Sequence, residues 1–141
     1  MSIPVPDQTS PLDEVEAKIA RACKIARREP GDVTLVAVSK THPVEAIDPI
    51  LEQGHRVFGE NRVQEAQDKW SLLKERYPDA ELHLIGQLQS NKAEDAVALF
   101  DCIHALDRSS LVKALAKAMD RAGKRVPCFA CLLYTSDAAD E

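Results

Sequence analysis

Residues 33–38, VTLVAV, are uninterrupted apolar and β-branched positions that run straight into Ser39-Lys40-Thr41-His42. A run of this length without alternation predicts a short strand buried on both faces. The segment before it has a different period. In SPLDEVEAKIARACKIARRE, residues 10–29, Leu12, Val15, Ile19, Ala22 and Ile25 recur at helical spacing, with Ser10 as N-cap, Pro11 in the first turn, acids early and arginines late. PGD at 30–32 breaks that helix. Downstream, PVEAIDPILEQG (43–54) predicts a helix ending at Gly54, with Pro49 expected to kink or shorten it. HRVFGEN (55–61) predicts a second strand and RVQEAQDKWSLLKERYP (62–78) a helix stopped by Pro78. LHLIG (82–86), NKAEDAVALF (91–100), CIHAL (102–106) and SSLVKALAKAMDRAGK (109–124) read as strand, helix, strand and helix, and RVPCF (125–129) begins a fifth strand.

Strands that alternate with helices in this way imply a parallel sheet built from crossover units. Two architectures satisfy the alternation: an open doubly wound sheet and a (β/α)8 barrel. No shift to linker-like composition divides the chain. Neither a G-x-G-x-x-G nor a Walker loop follows the first strand, which weakens the dinucleotide and nucleoside triphosphate readings. Polar residues gather instead at the strand-to-helix junctions: Ser39-Lys40-Thr41-His42, Glu60-Asn61, Gln87 through Lys92, and Asp107-Arg108-Ser109-Ser110. Both architectures keep their chemistry at that end of the sheet.

Composition narrows the chemistry. With 18 Lys and Arg against 23 Asp and Glu, the net charge of −5 offers no basic surplus for a phosphate backbone, so nucleic acid is not an expected partner. No apolar run approaches the roughly 20 residues that span a bilayer, and MSIPVPDQTSPLDE lacks the regions of a signal peptide; a cytoplasmic protein without membrane contact is expected. Cys23, Cys102, Cys128 and Cys131 read as free thiols. The histidines His42, His55 and His104 show no ligand spacing, so no metal is expected.

Lys40 is the residue that stands out. An amine just past a buried strand would be partly shielded, which disfavours the ammonium and leaves a neutral nucleophile able to form a Schiff base with an aldehyde. Arginine could not do this, because it stays protonated. A solvated lysine closing a strand is the competing reading, and the local sequence leaves both open. Asn61 faces a similar choice between a ligand and a cap for the following helix. His83 reads as a satisfied core histidine, Arg108 with Ser109 and Ser110 as a helix cap, and Trp70 and Tyr77 as packing residues. The segment Gln89 to Lys92 offers donors at a site mouth or ordinary loop and cap chemistry.

Three segments, LVAVSKTHP, VFGENRVQEAQDK and LHLIGQLQSNKA, in this order and at these separations, resemble the pyridoxal 5′-phosphate (PLP) homeostasis protein family, also called YggS/PROSC. The resemblance runs from about Leu12 to Phe129. It implies the N-terminal portion of an alanine-racemase-like (β/α)8 TIM-type barrel, truncated after about strand five. By position it makes Lys40 the residue that holds PLP as a Schiff base; Asn61, at the end of the second strand, is the other candidate cofactor-binding residue. It also implies a carrier or regulator of PLP pools without substrate turnover, with PLP-requiring apo-enzymes as recipients. A racemase or Schiff-base aldolase is the enzymatic alternative, and an inert chain that no longer binds PLP is the other. Residues 1–129 are read as a partial PLP-binding barrel domain. The tail ACLLYTSDAADE, residues 130–141, departs from the family and resembles translated sequencing adapter. Late loops that would hold the cofactor phosphate are expected to be missing, and the two outer strands to present open edges that favour marginal stability and self-association.

Overall fold

The computed structural model describes residues 9–131; nearly all of the divergent tail, residues 132–141, lies outside them. The chain divides into two compact units, residues 1–35 and 36–141. In the first, helix α1 spans Pro11–Ala26. Ser10 caps it as expected: its hydroxyl accepts from the Asp13 amide at 3.1 Å while the Asp13 carboxylate accepts from the Ser10 amide at 3.2 Å. Arg27, left-handed at φ 57°, ends it. The expected apolar stripe is only partly covered: Leu12 and Ile19 are half-buried, Val15 and Ala22 are exposed and Ile25 is 78% exposed, while the buried position of the helix is Cys23, outside that stripe. A single helix and one 3-10 turn, Pro30–Asp32, make too small a unit to bury a whole helical face.

The second unit is a five-stranded sheet of β1 (Ala37–Val38), β2 (Val57–Glu60), β3 (Glu81–Leu84), β4 (Cys102–Leu106) and β5 (Cys128–Ala130). Helices α2 (Val44–Glu52), α3 (Val63–Arg76), α4 (Ala93–Leu99) and α5 (Ser109–Ala122) connect them. Every pairing is parallel, and the strands lie in space in their chain order. A doubly wound sheet reverses its strand order at a switch point. This one never does, so it follows the winding of a barrel.

Registry divides the sheet into two faces. Phe58, Glu60, Leu82, Leu84 and Ile103 point to one side, where they are fully buried and form the core with Ile47, Leu51, Trp70, Leu73, Val97, Leu111 and Leu115 from the helices. Val38, Gly59, His83 and Cys102 are in register on the other side. That side is open at its edges, where Val38 is 48% exposed and Phe129, whose ring lies 5.0 Å from that of His104, is 58% exposed, while Gly59, His83 and Cys102 between them are buried. The first strand is therefore shorter and less buried than residues 33–38 predicted. Among the described residues it pairs with β2 alone, at one edge of the sheet.

Pro49 does not break α2. It lies in the helix, and its carbonyl accepts from the Gln53 amide at 3.1 Å, so the turn after it stays closed. Gly123, left-handed at φ 63°, ends α5 as its position suggested. Trp70 is a packing residue, completely buried with its ring 5.0 Å from Phe58, while Tyr77 lies under the guanidinium groups of Arg56 and Arg76.

Phe58→Ala removes the largest strand side chain from this core. The expected loss is about 3–5 kcal/mol of unfolding free energy, measured by urea denaturation with Trp70, the only tryptophan in the sequence, as fluorophore.

Candidate functional site

The β1 ladder continues one residue past Val38, because the Ser39 amide donates to the Gly59 carbonyl at 2.9 Å. The chain then turns sharply. Thr41 adopts φ 64°, a left-handed conformation that is costly for a β-branched residue, and the His42 amide donates back to the Ser39 carbonyl at 3.1 Å. Lys40 rides on this turn. Its side chain is exposed rather than shielded, because β1 is an outer strand with an open face.

Such a strained turn needs to be held, and α3 holds it. Lys69 Nζ donates to the Ser39 carbonyl at 2.8 Å and to the His42 carbonyl at 3.0 Å, so one ammonium ties both ends of the turn. The Glu65 carboxylate accepts from the Thr41 amide in its middle. That amide bond, followed by the Lys69 hydrogen bond, holds the Glu65 carboxyl below its ordinary pKa.

Lys69 is anchored in turn by Glu60, which is completely buried at the end of β2. Glu60 Oε2 pairs with Lys69 Nζ at 2.8 Å and accepts from Ser39 Oγ at 2.6 Å and Trp70 Nε1 at 2.9 Å. Oε1 of the same carboxylate is buried without a hydrogen-bond partner among the described residues. The arrangement converts a helix, two strands and the Lys40 turn into one connected unit.

Asn61 follows Glu60 directly. It does not cap α3, whose N-cap is Arg62 and which has no side-chain cap. Asn61 packs against Gly86 instead: a Cβ at residue 86 would lie 2.3 Å from the Asn61 carbonyl oxygen and 2.4 Å from its Oδ1. Only glycine fits there. Lys40 and Asn61 each stand two residues beyond Val38 and Gly59, which pair in register, so both lie at the C-terminal end of the sheet.

On the open face of the sheet, His83 Nδ1 lies 2.8 Å from His104 Nε2, and His83 Nε2 lies 2.7 Å from Glu81 Oε1. His83 is thus buried and satisfied, as expected, but on the face opposite the core rather than within it. Burial, with His83 beside it, lowers the pKa of His104. A cleft of about 430 Å³ is lined by Arg62, Gln64, Gln87, Gln89 and Lys92 among others, and contains neither Lys40 nor Asn61. Arg108 is the N-cap residue of α5 but makes no side-chain cap; its guanidinium bonds the Leu88 carbonyl at 2.6 Å and so ties two junction loops together.

Residues 11–130 match the alanine racemase N-terminal domain family. The chain belongs to that family. Among curated members it is 41% identical to the pyridoxal phosphate homeostasis protein of Vibrio cholerae over 75% of this chain and 46% of the relative. It is 42% identical to the protein of the same name from Escherichia coli K12, over 74% and 45%. The chain therefore spans about half the length of the curated relatives it matches. Among solved structures it resembles PipY of Synechococcus elongatus with PLP bound, at TM-score 0.66 and 44% identity over 81% of this chain and 52% of that one. A protein from Bifidobacterium adolescentis gives TM-score 0.78 at 31% identity, over 88% and 56%. The alanine-racemase-like barrel segment expected from the sequence is the fold observed.

Within this family domain, the residues present fit a carbonyl cofactor on one side. An exposed primary amine and an amide side chain stand at the C-terminal ends of adjacent strands, and Gly86 leaves the amide room. Sequence reasoning missed the supports: Glu60, Glu65, Lys69 and Gly86. The available signals were an acid closing the apolar run VFGE and a lysine four residues after Glu65 on the next helix.

Lys69→Met is expected to cost about 3–5 kcal/mol, because it leaves the Glu60 carboxylate buried and unpaired; Lys69→Met combined with Glu60→Gln is expected to lose less, as read by urea unfolding. A second expectation concerns pH. Because the folded pKa of Glu65 lies below its ordinary value near 4.5, its contribution is complete above about pH 4.5 and fades as pH falls through the folded value. Glu65→Gln should therefore be less stable than the parent near neutral pH, and unfolding curves taken at falling pH should converge.

Proposed function

We propose that this chain supplies the Lys40 side of a PLP site, and that the protein it belongs to binds PLP in the cytoplasm for vitamin B6 homeostasis rather than for substrate turnover. One observation carries the reading: an exposed lysine stands at the C-terminal end of β1 on a turn that Lys69 and Glu65 fix in place. The PLP-bound state of PipY and the names of the curated relatives support the choice of cofactor.

PLP supplies an aldehyde carbon, at which an amine forms a C=N bond with loss of water. Lys40 Nζ is the amine, acting in its unprotonated form. Asn61 lies beside it at the end of β2 and presents an amide to the ring, its position set by Gly86. Glu60, Lys69 and Glu65 touch no cofactor and act by positioning the backbone on which Lys40 stands. Apo-enzymes that require PLP are the recipients in this reading. The enzymatic alternative, a racemase, requires loss of an α-proton from an amino acid into deuterated water, which is not expected here.

Adding PLP to the purified chain, reducing with borohydride and mapping the peptides by mass spectrometry tests the assignment. Label concentrated on Lys40, absent in Lys40→Ala and reduced in Gly86→Ala, is the expected result. Label spread evenly over the surface lysines would overturn it.

A further inference from the structure

The open face of the sheet carries a group of side chains that the PLP reading leaves unused. His83, Cys102 and His104 place one ligating atom each, a ring nitrogen from either histidine and the Cys102 Sγ, all within 4.8 Å of one another, and the two rings face each other through His83 Nδ1 and His104 Nε2. They come from two neighbouring strands in direct register, His83 opposite Cys102 and His104 two residues on. Strand backbones hold such a set more firmly than loops would.

We propose that His83, Cys102 and His104 form a binding site for a borderline-soft divalent cation, zinc above all. Two imidazoles and a thiolate are a ligand set that zinc takes readily, with Zn–N near 2.0–2.1 Å and Zn–S near 2.3 Å, so a tetrahedral ion holds its ligand atoms roughly 3.3–3.6 Å apart. To admit it, the imidazole nitrogens, now 2.8 Å apart, would open by about half an ångström, and the Cys102 thiol would close from within the 4.8 Å span of the set to about 3.6 Å from them. Three protein ligands leave a fourth position for a water.

A second, independent feature supports the assignment. His83 Nε2 sits 2.7 Å from Glu81 Oε1, the carboxylate–histidine pair that orients metal-bound imidazoles. With its Nε2–H donated to Glu81, His83 directs the Nδ1 lone pair at the space between itself and His104. In the metal-free protein that space holds one shared hydrogen bond. On binding, His104 carries its proton on Nδ1, the Cys102 thiol loses its proton to solvent, and the cation takes the three lone pairs, for a net release of one proton. No local spacing pattern announces this set, because His83 lies on β3 and meets Cys102 and His104 only once β4 is in register beside it.

Cobalt(II) serves as the probe on the metal-stripped full chain. The expected result is the intense visible spectrum of a four-coordinate ion with a thiolate-to-metal band in the near ultraviolet, displaced by one equivalent of zinc. Cys102→Ser, a near-isosteric change whose fold is checked by circular dichroism, should abolish the thiolate band. Glu81→Gln should weaken zinc binding about 10–100-fold while keeping the band. A pale six-coordinate spectrum, failure of zinc to compete, or a thiolate band that survives in Cys102→Ser and disappears in Cys128→Ser would each overturn the proposal.

Discussion

A carboxylate without access to solvent must be paired, and in this protein that requirement organises the surroundings of Lys40. Glu60 is fully buried at the end of β2, and its charge is met by Lys69 from α3, with Ser39 and Trp70 donating to the same oxygen. Because Lys69 also bonds the carbonyls on either side of Thr41, neutralising Glu60 and fixing the Lys40 turn are a single event. Apolar residues of equal size could fill this volume with no charge to desolvate. They could not reach two carbonyls of an irregular turn, and that is the structural return on burying the pair.

The winding of the sheet decides where chemistry can lie. Consecutive parallel strands in chain order place all connecting helices over the Phe58–Leu82–Ile103 face, so that face becomes core. The opposite face keeps polar and reactive groups: His83, Cys102, His104 and, past the end of the ladder, Asn61. A pleated strand changes sides at every residue. Glu60 and Asn61 are therefore neighbours in sequence with opposite roles, one inside the helix layer and the other toward the open face.

Much of the fold was legible because each strand here is a short apolar run bounded by Gly, Pro or polar residues, and each helix has its own period. β1 was misjudged because six apolar residues look like a fully buried strand whatever their partners, whereas only Ala37 and Val38 find a partner to ladder with. Lys40 and Asn61, the proposed cofactor residues, were singled out by their motifs, and both stand at the C-terminal end of the sheet. The Glu60–Lys69 pair was not, since its members are neighbours only once α3 lies back on β2. Gly86 was invisible for a related reason: its necessity depends on how closely Asn61 approaches from the adjacent strand. The His83–His104 contact likewise exists only after β3 and β4 are in register.

The exposure of Lys40 changes where the selectivity of that amine must come from. A shielded lysine would be singled out by desolvation, but an exposed one shares its intrinsic reactivity with others on the surface. Position is what remains. Three hydrogen bonds from α3 hold the backbone on either side of Lys40, while its side chain is exposed. In the proposed PLP site, an amine on a fixed turn near an amide on a fixed strand end would meet a bound aldehyde at a raised effective concentration, and this advantage depends on geometry. On the proposed reading, the support network around Glu60 is thus as much a part of the site's chemistry as the lysine itself, since loosening the turn would leave Lys40 no positional advantage over any other surface amine.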